Sequence, residues 1–241
     1  MRMVLAAGIG TYLRQLVPRV WQVLPSFDLC VLGSTEILKR FEWARQPGVT
    51  IVECSAPIYS LREQAEIPFK IPSNTALFWS PHYNIPLFFR GRLLVTVHDT
   101  FHLAMPQFVN GWHRRLYSRV MFRAVRAKAA GIMCVSGFAK DQLLTYCPIG
   151  TQSVTVVHNG VDTSWLEIAP GPVPHPTPYL LFVGSVKPHK NLSRLLEAFD
   201  RLLQKIPHDL VIIGRQEVRT KVFTVVDDLA AGPIDVMRGQ E

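Results

Sequence analysis

The chain of 241 residues contains no run of eighteen apolar residues, so nothing in it reads as a transmembrane helix. Its opening residues lack the charged, apolar and small-residue succession of a secretory signal. Cys30, Cys54, Cys134 and Cys147 include no Cys-x-x-Cys pair, which removes the usual zinc and redox motifs. Cys30, Cys54 and Cys134 sit in apolar strand-like runs, the setting of buried thiols in a reducing cytoplasm. There is no internal repeat. No recognition helix, zinc finger or stacked-aromatic signature is present, so nucleic acid is not an expected partner. The net charge of +8 is therefore assigned to a nucleotide diphosphate or to acidic lipid headgroups.

What is present is an alternation of strands and helices, with 48% hydrophobic residues to fill sizeable cores. Strands are predicted over Phe27 to Gly33, Val49 to Cys54, Thr75 to Ser80, Leu93 to His98, Gly131 to Ser136 and Ser153 to His158. Helices are predicted over Glu36 to Arg45, Trp112 to Lys128, Phe138 to Tyr146 and Glu217 to Ala230, and Gly8 to Leu16 reads as a glycine-rich loop or turn that starts a helix. Met3 to Ala6 is either a turn or a stunted strand. The order implies an α/β protein with doubly wound parallel sheets in two Rossmann-like domains. The proline-dense run Ala169 to Pro178 divides them. Residues 1–168 form the first expected domain, 169–178 a linker, and 179–241 a second domain, expected to be incomplete.

Tyr179 to Gly214 is a whole βαβ unit. Two apolar strands, Tyr179 to Gly184 and Asp209 to Gly214, flank a helix whose apolar face carries Leu192, Leu195, Leu196, Phe199, Leu202, Leu203 and Ile206. Asn191 is placed to cap that helix, and Pro207 to stop it. The turn at the carboxyl end of the first strand carries Lys187 and Lys190. Ligands of open α/β sheets bind at such turns. Helix N–H groups and two ammonium groups would converge there on an anion such as a diphosphate, or else form a solvated basic loop. Trp112 to Lys128 has an apolar stripe of Trp112, Leu116, Val120, Met121 and Val125. Six cations and no acid occupy its other faces, which suits either a core helix with a solvated side or contact with an anionic membrane.

Together these segments are familiar. GSVKPHKNLSRLLEAF resembles the opening of the C-terminal domain of retaining glycosyltransferases of family four, the group 1 enzymes of GT-B fold. Upstream, GIGTYLRQL, YSLREQ, SPHYNIP, VTVHDTFHL, CVSGFAKDQL and VVHNGVD follow in the family's order and are similar to its lipopolysaccharide and exopolysaccharide branch. The resemblance implies a cytoplasmic enzyme, possible as a peripheral protein of the inner membrane face. It would move a sugar, with retention, from a nucleotide diphosphate-sugar to a glycan or lipid-linked acceptor, with no metal or other cofactor. Lys190, Lys187 and His98 are then the catalytic candidates. Gly8, Gly10, Lys187, Lys190 and Asn191 would bind the donor, and His82, Tyr83, Asn84 and Asp99 lie on the acceptor side.

Two departures from the family pattern stand out. Gly137 replaces the acid of a Ser-Glu turn at Ser136, and no Glu-x7-Glu pair exists anywhere in the sequence. The latter implies a C-terminal truncation, with an N-terminus that is itself short. A non-catalytic remnant that binds acceptor or membrane is the alternative. Less favoured is a nucleotide-dependent oxidoreductase, because Gly8-Ile9-Gly10 is only half of a dinucleotide fingerprint, with Leu13 at the third glycine position. His98 and His102 are four apart but lie on an expected loop without further acidic or cysteine ligands. Asn159-Gly160 reads as a structural turn.

Overall fold

The computed structural model describes residues 1–148, 153–169, 171, 175–214 and 236–237. It divides into two compact units, Met1–Glu167 and Ile168–Glu241. Both are α/β, and among the described residues every strand pair but one is parallel.

In the first unit, β1 (Leu29–Gly33) pairs in parallel with β2 (Val49–Glu53). A four-stranded parallel sheet follows, in the order β3 (Phe78–Ser80), β4 (Leu93–Val97), β5 (Gly131–Cys134), β6 (Ser153–Val156). The helices are α1 (Ala7–Gln22), α2 (Thr35–Leu38), α3 (Leu61–Lys70), α4 (Phe101–Ala104), α5 (Trp112–Lys128) and α6 (Gly137–Tyr146). The second unit holds β7 (Tyr179–Val183), α7 (Leu192–Asp200) and β8 (Asp209–Ile213), with β9 (Val236–Met237) antiparallel to β8.

Strand alternation sends side chains to opposite faces of the sheet, and β3 shows the result. Phe78 packs against both the cluster built by Ile67 and Ile71 around α3 and the cluster of Met121, Phe122 and Val125 on α5. Its neighbour Trp79 meets Tyr12 of α1 at 6.0 Å between ring centroids and donates to Thr96 Oγ1 at 2.9 Å. Helices thus cover both faces of the sheet, as a doubly wound architecture requires.

Several boundaries differ from the sequence expectation. At the N-terminus the turn holds of the two readings left open, over Arg2 to Leu5. The helix expected over Glu36 to Arg45 breaks into α2 and a single turn of 3-10 helix, Glu42–Arg45, with an extended Phe41 between them. Apolar periodicity did not predict α3. Its buried face carries Glu63 and Gln64 beside Ile67, so the apolar periodicity is interrupted, and Pro68 lies in its last turn. What starts α3 is capping chemistry. Ser60 Oγ accepts from the Glu63 N–H at 3.1 Å, and Glu63 Oε2 accepts from the Tyr59 N–H at 2.6 Å. Ser136 plays the same part for α6, accepting from the Ala139 N–H at 3.1 Å. α7 ends at Asp200 rather than Ile206, and the remaining residues continue as turns. The helix expected over Glu217 to Ala230 lies outside the described residues.

In the second unit Leu192, Phe199, Leu210 and Ile212 form the core. β8 is buried, whereas Leu180, Leu181 and Val183 of β7 are exposed. His175 Nε2 lies 2.6 Å from Asp209 Oδ2, to which Thr177 Oγ1 donates at 2.5 Å. These bonds hold the end of the proline-dense segment against the start of β8.

α1 docks at one point only glycine tolerates. A Cβ on Gly10 would sit 2.6 Å from the Val4 carbonyl oxygen, whereas one on Gly8 would meet nothing within 4 Å. Gly10→Ala should therefore lower the melting temperature despite alanine's better helix propensity. Gly8→Ala should leave it unchanged or raise it slightly, by up to about 1 kcal/mol of stability. Thermal unfolding of both variants checks this, and equal melting temperatures would show that the Gly10 contact does not matter.

Candidate functional site

Parallel pairing sets where the singled-out residues of the first unit emerge. Ser80 pairs with Val95, so the turn after β3 and the turn after β4 leave the sheet side by side at its carboxyl edge. The first turn carries His82, Tyr83 and Asn84, the second His98 and Asp99. His98 Nε2 lies 3.0 Å from the Pro81 carbonyl oxygen and ties the two turns together.

The partners decide the tautomers. A carbonyl only accepts, so His98 holds its proton on Nε2 and leaves Nδ1 as an acceptor. His82 Nδ1 accepts from the Asn84 N–H at 3.3 Å, so its proton sits on Nε2, 3.4 Å from the Tyr59 hydroxyl. Burial, reinforced by His98, pushes the His82 pKa down to about 4. Burial lowers His98 and His102 as well. Burial, with Asp99 nearby, pushes Tyr59 up to about 12. The imidazoles and the Tyr59 phenol of this edge are thus neutral donors and acceptors at ordinary pH, beside the Asp99 carboxylate, the chemistry that hydroxyl-rich ligands match.

The acceptor-side residues named from sequence divide sharply. Tyr83 is in the core, its ring stacked on Phe122 at 4.5 Å and its hydroxyl 3.2 Å from His102 Nδ1. The amide of Asn84 is engaged inside the protein. Its Nδ2 donates to both oxygens of Glu63 at 2.9 and 3.0 Å, and its Oδ1 accepts from the Tyr117 hydroxyl at 2.5 Å. His82 and His98 are half-buried and Asp99 is exposed, its Oδ1 accepting from the Phe101 N–H at 3.0 Å.

Sequence reasoning missed the group that organises this edge. Glu63 is 1% exposed and carries the ion pair with Arg2, the Tyr59 N–H and the Asn84 amide. Tyr59 has φ 66°, a left-handed conformation that is strained for a bulky residue. The Glu63 carboxylate holds it there. The signal was available: YSLREQ supplies the cap, the carboxylate and the strained tyrosine in six consecutive residues.

Gly8 and Gly10 lie in the first turn and a half of α1 rather than in a loop, and Leu13, at the position of a third fingerprint glycine, is buried. Gly10 serves the Val4 contact, while Gly8 is exposed. A separate cavity of about 370 Å³, lined by Arg2, Ser34, Glu53 and Ser55 among others, opens beyond β1 and β2 and includes none of the histidines.

In the second unit, β7 leads through Gly184 into a turn of 3-10 helix, Pro188–Lys190, and then α7. Lys187 precedes that turn and Lys190 ends it, shortly before the N–H groups of the α7 first turn, which have no intrahelical acceptors. Asn191 does not cap. It occupies the N-cap position in a left-handed conformation, φ 54° and ψ 36°, and its side chain accepts no cap hydrogen bond. The position asparagine tolerates better than most residues is what the turn uses.

Among the described residues no three His, Cys, Asp or Glu side chains gather as metal ligands, and no helix is long and apolar enough to cross a membrane. All four cysteines are free, with Cys54, Cys134 and Cys147 buried.

Comparison with known proteins gives two matches. Residues 71–165 match the family described as Glycosyltransferase Family 4, and residues 164–231 match the family described as Glycosyl transferases group 1. No curated protein matches the chain.

The depressed His82 pKa has a measurable consequence. Unfolding returns the imidazole to its ordinary value near 6.5, so between about pH 6.5 and 4 the unfolded chain binds the extra proton. Stability should therefore fall as pH drops through that window, with His98 and His102 adding to the same slope. Nitrogen NMR should show His82 neutral, with its proton on Nε2, down to about pH 5. A midpoint near 6.5 would mean that the Tyr59 and Asn84 contacts are open in solution.

Proposed function

This chain carries the domains of a glycosyltransferase of family 4, group 1, and from that premise we propose that it transfers a sugar, with retention, from a nucleotide diphosphate-sugar to a glycan or lipid-linked acceptor in cell-surface polysaccharide synthesis. The observation that carries the donor half is the placement of Lys187 and Lys190 at the α7 N-terminus, at the carboxyl end of β7.

Transfer from such a donor builds negative charge on the departing diphosphate. Two ammonium groups and the free N–H groups of a helix start interact more strongly with that charge as it develops, which is the condition for rate acceleration. Lys190 and Lys187 are assigned this role, and Asn191 shapes the backbone that presents the N–H groups. The chemistry requires neither a metal nor another cofactor. No side chain is assigned as a nucleophile. In the same-face route the leaving phosphate oxygen takes the proton of the attacking hydroxyl.

For the sugar side, the neutral imidazoles at the carboxyl edge of the first unit support hydroxyl recognition. His98 Nδ1 would accept from a hydroxyl of the transferred sugar. His82, Asp99 and Tyr59 would face the acceptor, and Gly8 would leave room for backbone to approach a ligand. Tyr83 and Asn84 enter this scheme only as supports, Tyr83 through His102 and Asn84 through Glu63 and His82. The arginines of α5 favour a cytoplasmic enzyme held peripherally on an anionic membrane, where a lipid-linked acceptor would lie.

The test is titration of the chain with UDP and with GDP. Lys190→Ala should weaken the tighter of the two by roughly tenfold, the loss of one charge-assisted contact. Sugar transfer should fall roughly ten- to a thousandfold. Lys187→Ala should do similar but smaller damage. An unchanged dissociation constant and turnover in the Lys190 variant would remove the central assignment.

A further inference from the structure

α1 brings to the candidate edge one aromatic side chain that the site has so far not used. The Tyr12 ring meets the His98 imidazole edge to face, with 4.9 Å between ring centroids and 88° between planes. It also meets Trp79 of β3, at 6.0 Å and 69°. Trp79 Nε1 donates to Thr96 Oγ1 at 2.9 Å, and the Tyr12 hydroxyl hydrogen-bonds with the same Thr96 hydroxyl. Thr96 is fully buried on β4, and His98 follows it two residues on, so both project to the face that α1 covers. Tyr12 is thus held at its tip by Thr96 and along its side by Trp79, and it leans on His98.

The start of α1 sets where Tyr12 stands. Two residues before it, a Cβ on Gly10 would lie 2.6 Å from the Val4 carbonyl oxygen and 3.0 Å from that of Met3. Two residues after it, Arg14 Nη1 donates to the same Val4 carbonyl at 2.6 Å. The neighbouring Leu13 is buried. Only a residue without a Cβ lets the helix come this close. A larger residue at position 10 would therefore displace Tyr12, and through it His98.

The Pro81 carbonyl holds one atom of His98, Nε2. One hydrogen bond leaves the ring plane loosely set, because the outer torsion of a histidine has broad, roughly two-fold preferences. A ring packed edge to face supplies the missing restraint. A contact of this kind shifts an orientational equilibrium by roughly two- to tenfold. Burial raises the Tyr12 pKa, so the phenol stays neutral and brings no charge to the imidazole.

We propose that Tyr12 is a positioning residue for His98: its ring sets the imidazole plane, keeps the Nε2 proton on the Pro81 carbonyl and leaves Nδ1 as the acceptor offered to a sugar hydroxyl. The inference rests on the reading of His98 as a contact of the transferred sugar. It goes beyond that reading in giving a role to Tyr12, and in making Gly10 serve His98 through the docking of α1.

The experiment is two-bond proton–nitrogen correlation NMR of the whole chain with labelled histidine, which reads the tautomer of each imidazole. Wild-type His98 should carry its proton on Nε2. In Tyr12→Leu the ratio of Nε2–H to Nδ1–H forms should fall by roughly two- to tenfold. Tyr12→Phe keeps the ring and should keep the ratio, although loss of the Thr96 bond lowers its melting temperature. Gly10→Ala should move the ratio in the direction of the leucine variant without altering any aromatic residue. A wild-type ratio in Tyr12→Leu, or in Gly10→Ala where the leucine variant does not fold, would show that Pro81 alone sets the imidazole and would overturn the inference. An equal fall in Tyr12→Phe would assign the orientation to the hydroxyl and Thr96, and overturn the part given to the ring. The sugar contact is read separately. His98→Ala should lower transfer by roughly tenfold, the loss of one hydrogen bond. Full transfer in that variant would remove the contact on which the inference rests, while the ring geometry would stand as measured.

Discussion

The first unit is organised around one buried carboxylate. A charge with 1% exposure must be paired and hydrogen-bonded to be tolerated at all, and the Glu63 carboxylate meets that demand from three directions. Arg2 supplies the counter-charge, the Tyr59 N–H and the Asn84 amide supply donors, and Ser60 holds the Glu63 backbone. The three carboxylate partners belong to different pieces of chain. The N-terminal segment, the loop before α3 and the turn after β3 are therefore fixed by a single side chain, and α5 is added through the bond from Tyr117 to Asn84. The tautomer of His82 follows from the same arrangement, because the backbone of Asn84 and the hydroxyl of Tyr59 grip opposite nitrogens of its ring.

Parallel sheets explain why the candidate residues gather at one edge of each unit. All strands of β3 to β6 point the same way, so every following turn emerges at the carboxyl end. In the second unit the β7 turn does the same with cations and a helix start. At this point two backbones come very close: a Cβ on Gly214 would overlap the Gly184 carbonyl oxygen. The two glycines end neighbouring strands, and only a hydrogen at that position allows the strand ends to run side by side.

Sequence periodicity located the elements whose burial is apolar. α5 has the predicted limits, and the βαβ unit of Tyr179 to Gly214 has its strands to within one residue. It failed where burial is polar. α3 hides Glu63 and Gln64, and a helix that buries charge does not read as amphipathic. The site was legible in the same measure. Strand-end position brought His82 and His98 to one edge correctly. It could not tell that Tyr83 turns inward onto Phe122 or that the Asn84 amide faces Glu63, because strand-end position does not encode side-chain direction in a turn. Asn191 illustrates the same limit: the residue type was right for a helix start, but its use is backbone handedness rather than capping.

Phe78 packs against two of the hydrophobic clusters of the first unit, under α3 and under α5 at once. A shared side chain of this kind makes the two helices energetically non-independent. A change in volume at residue 78 would be felt by Ile67 and Ile71 on one side and by the α5 core on the other, so substitutions in either helix should not combine additively with it. For evolution this is a ratchet. Drift in one helix narrows what the other accepts, and the outward surfaces that these helices carry inherit that coupling although their own residues never touch.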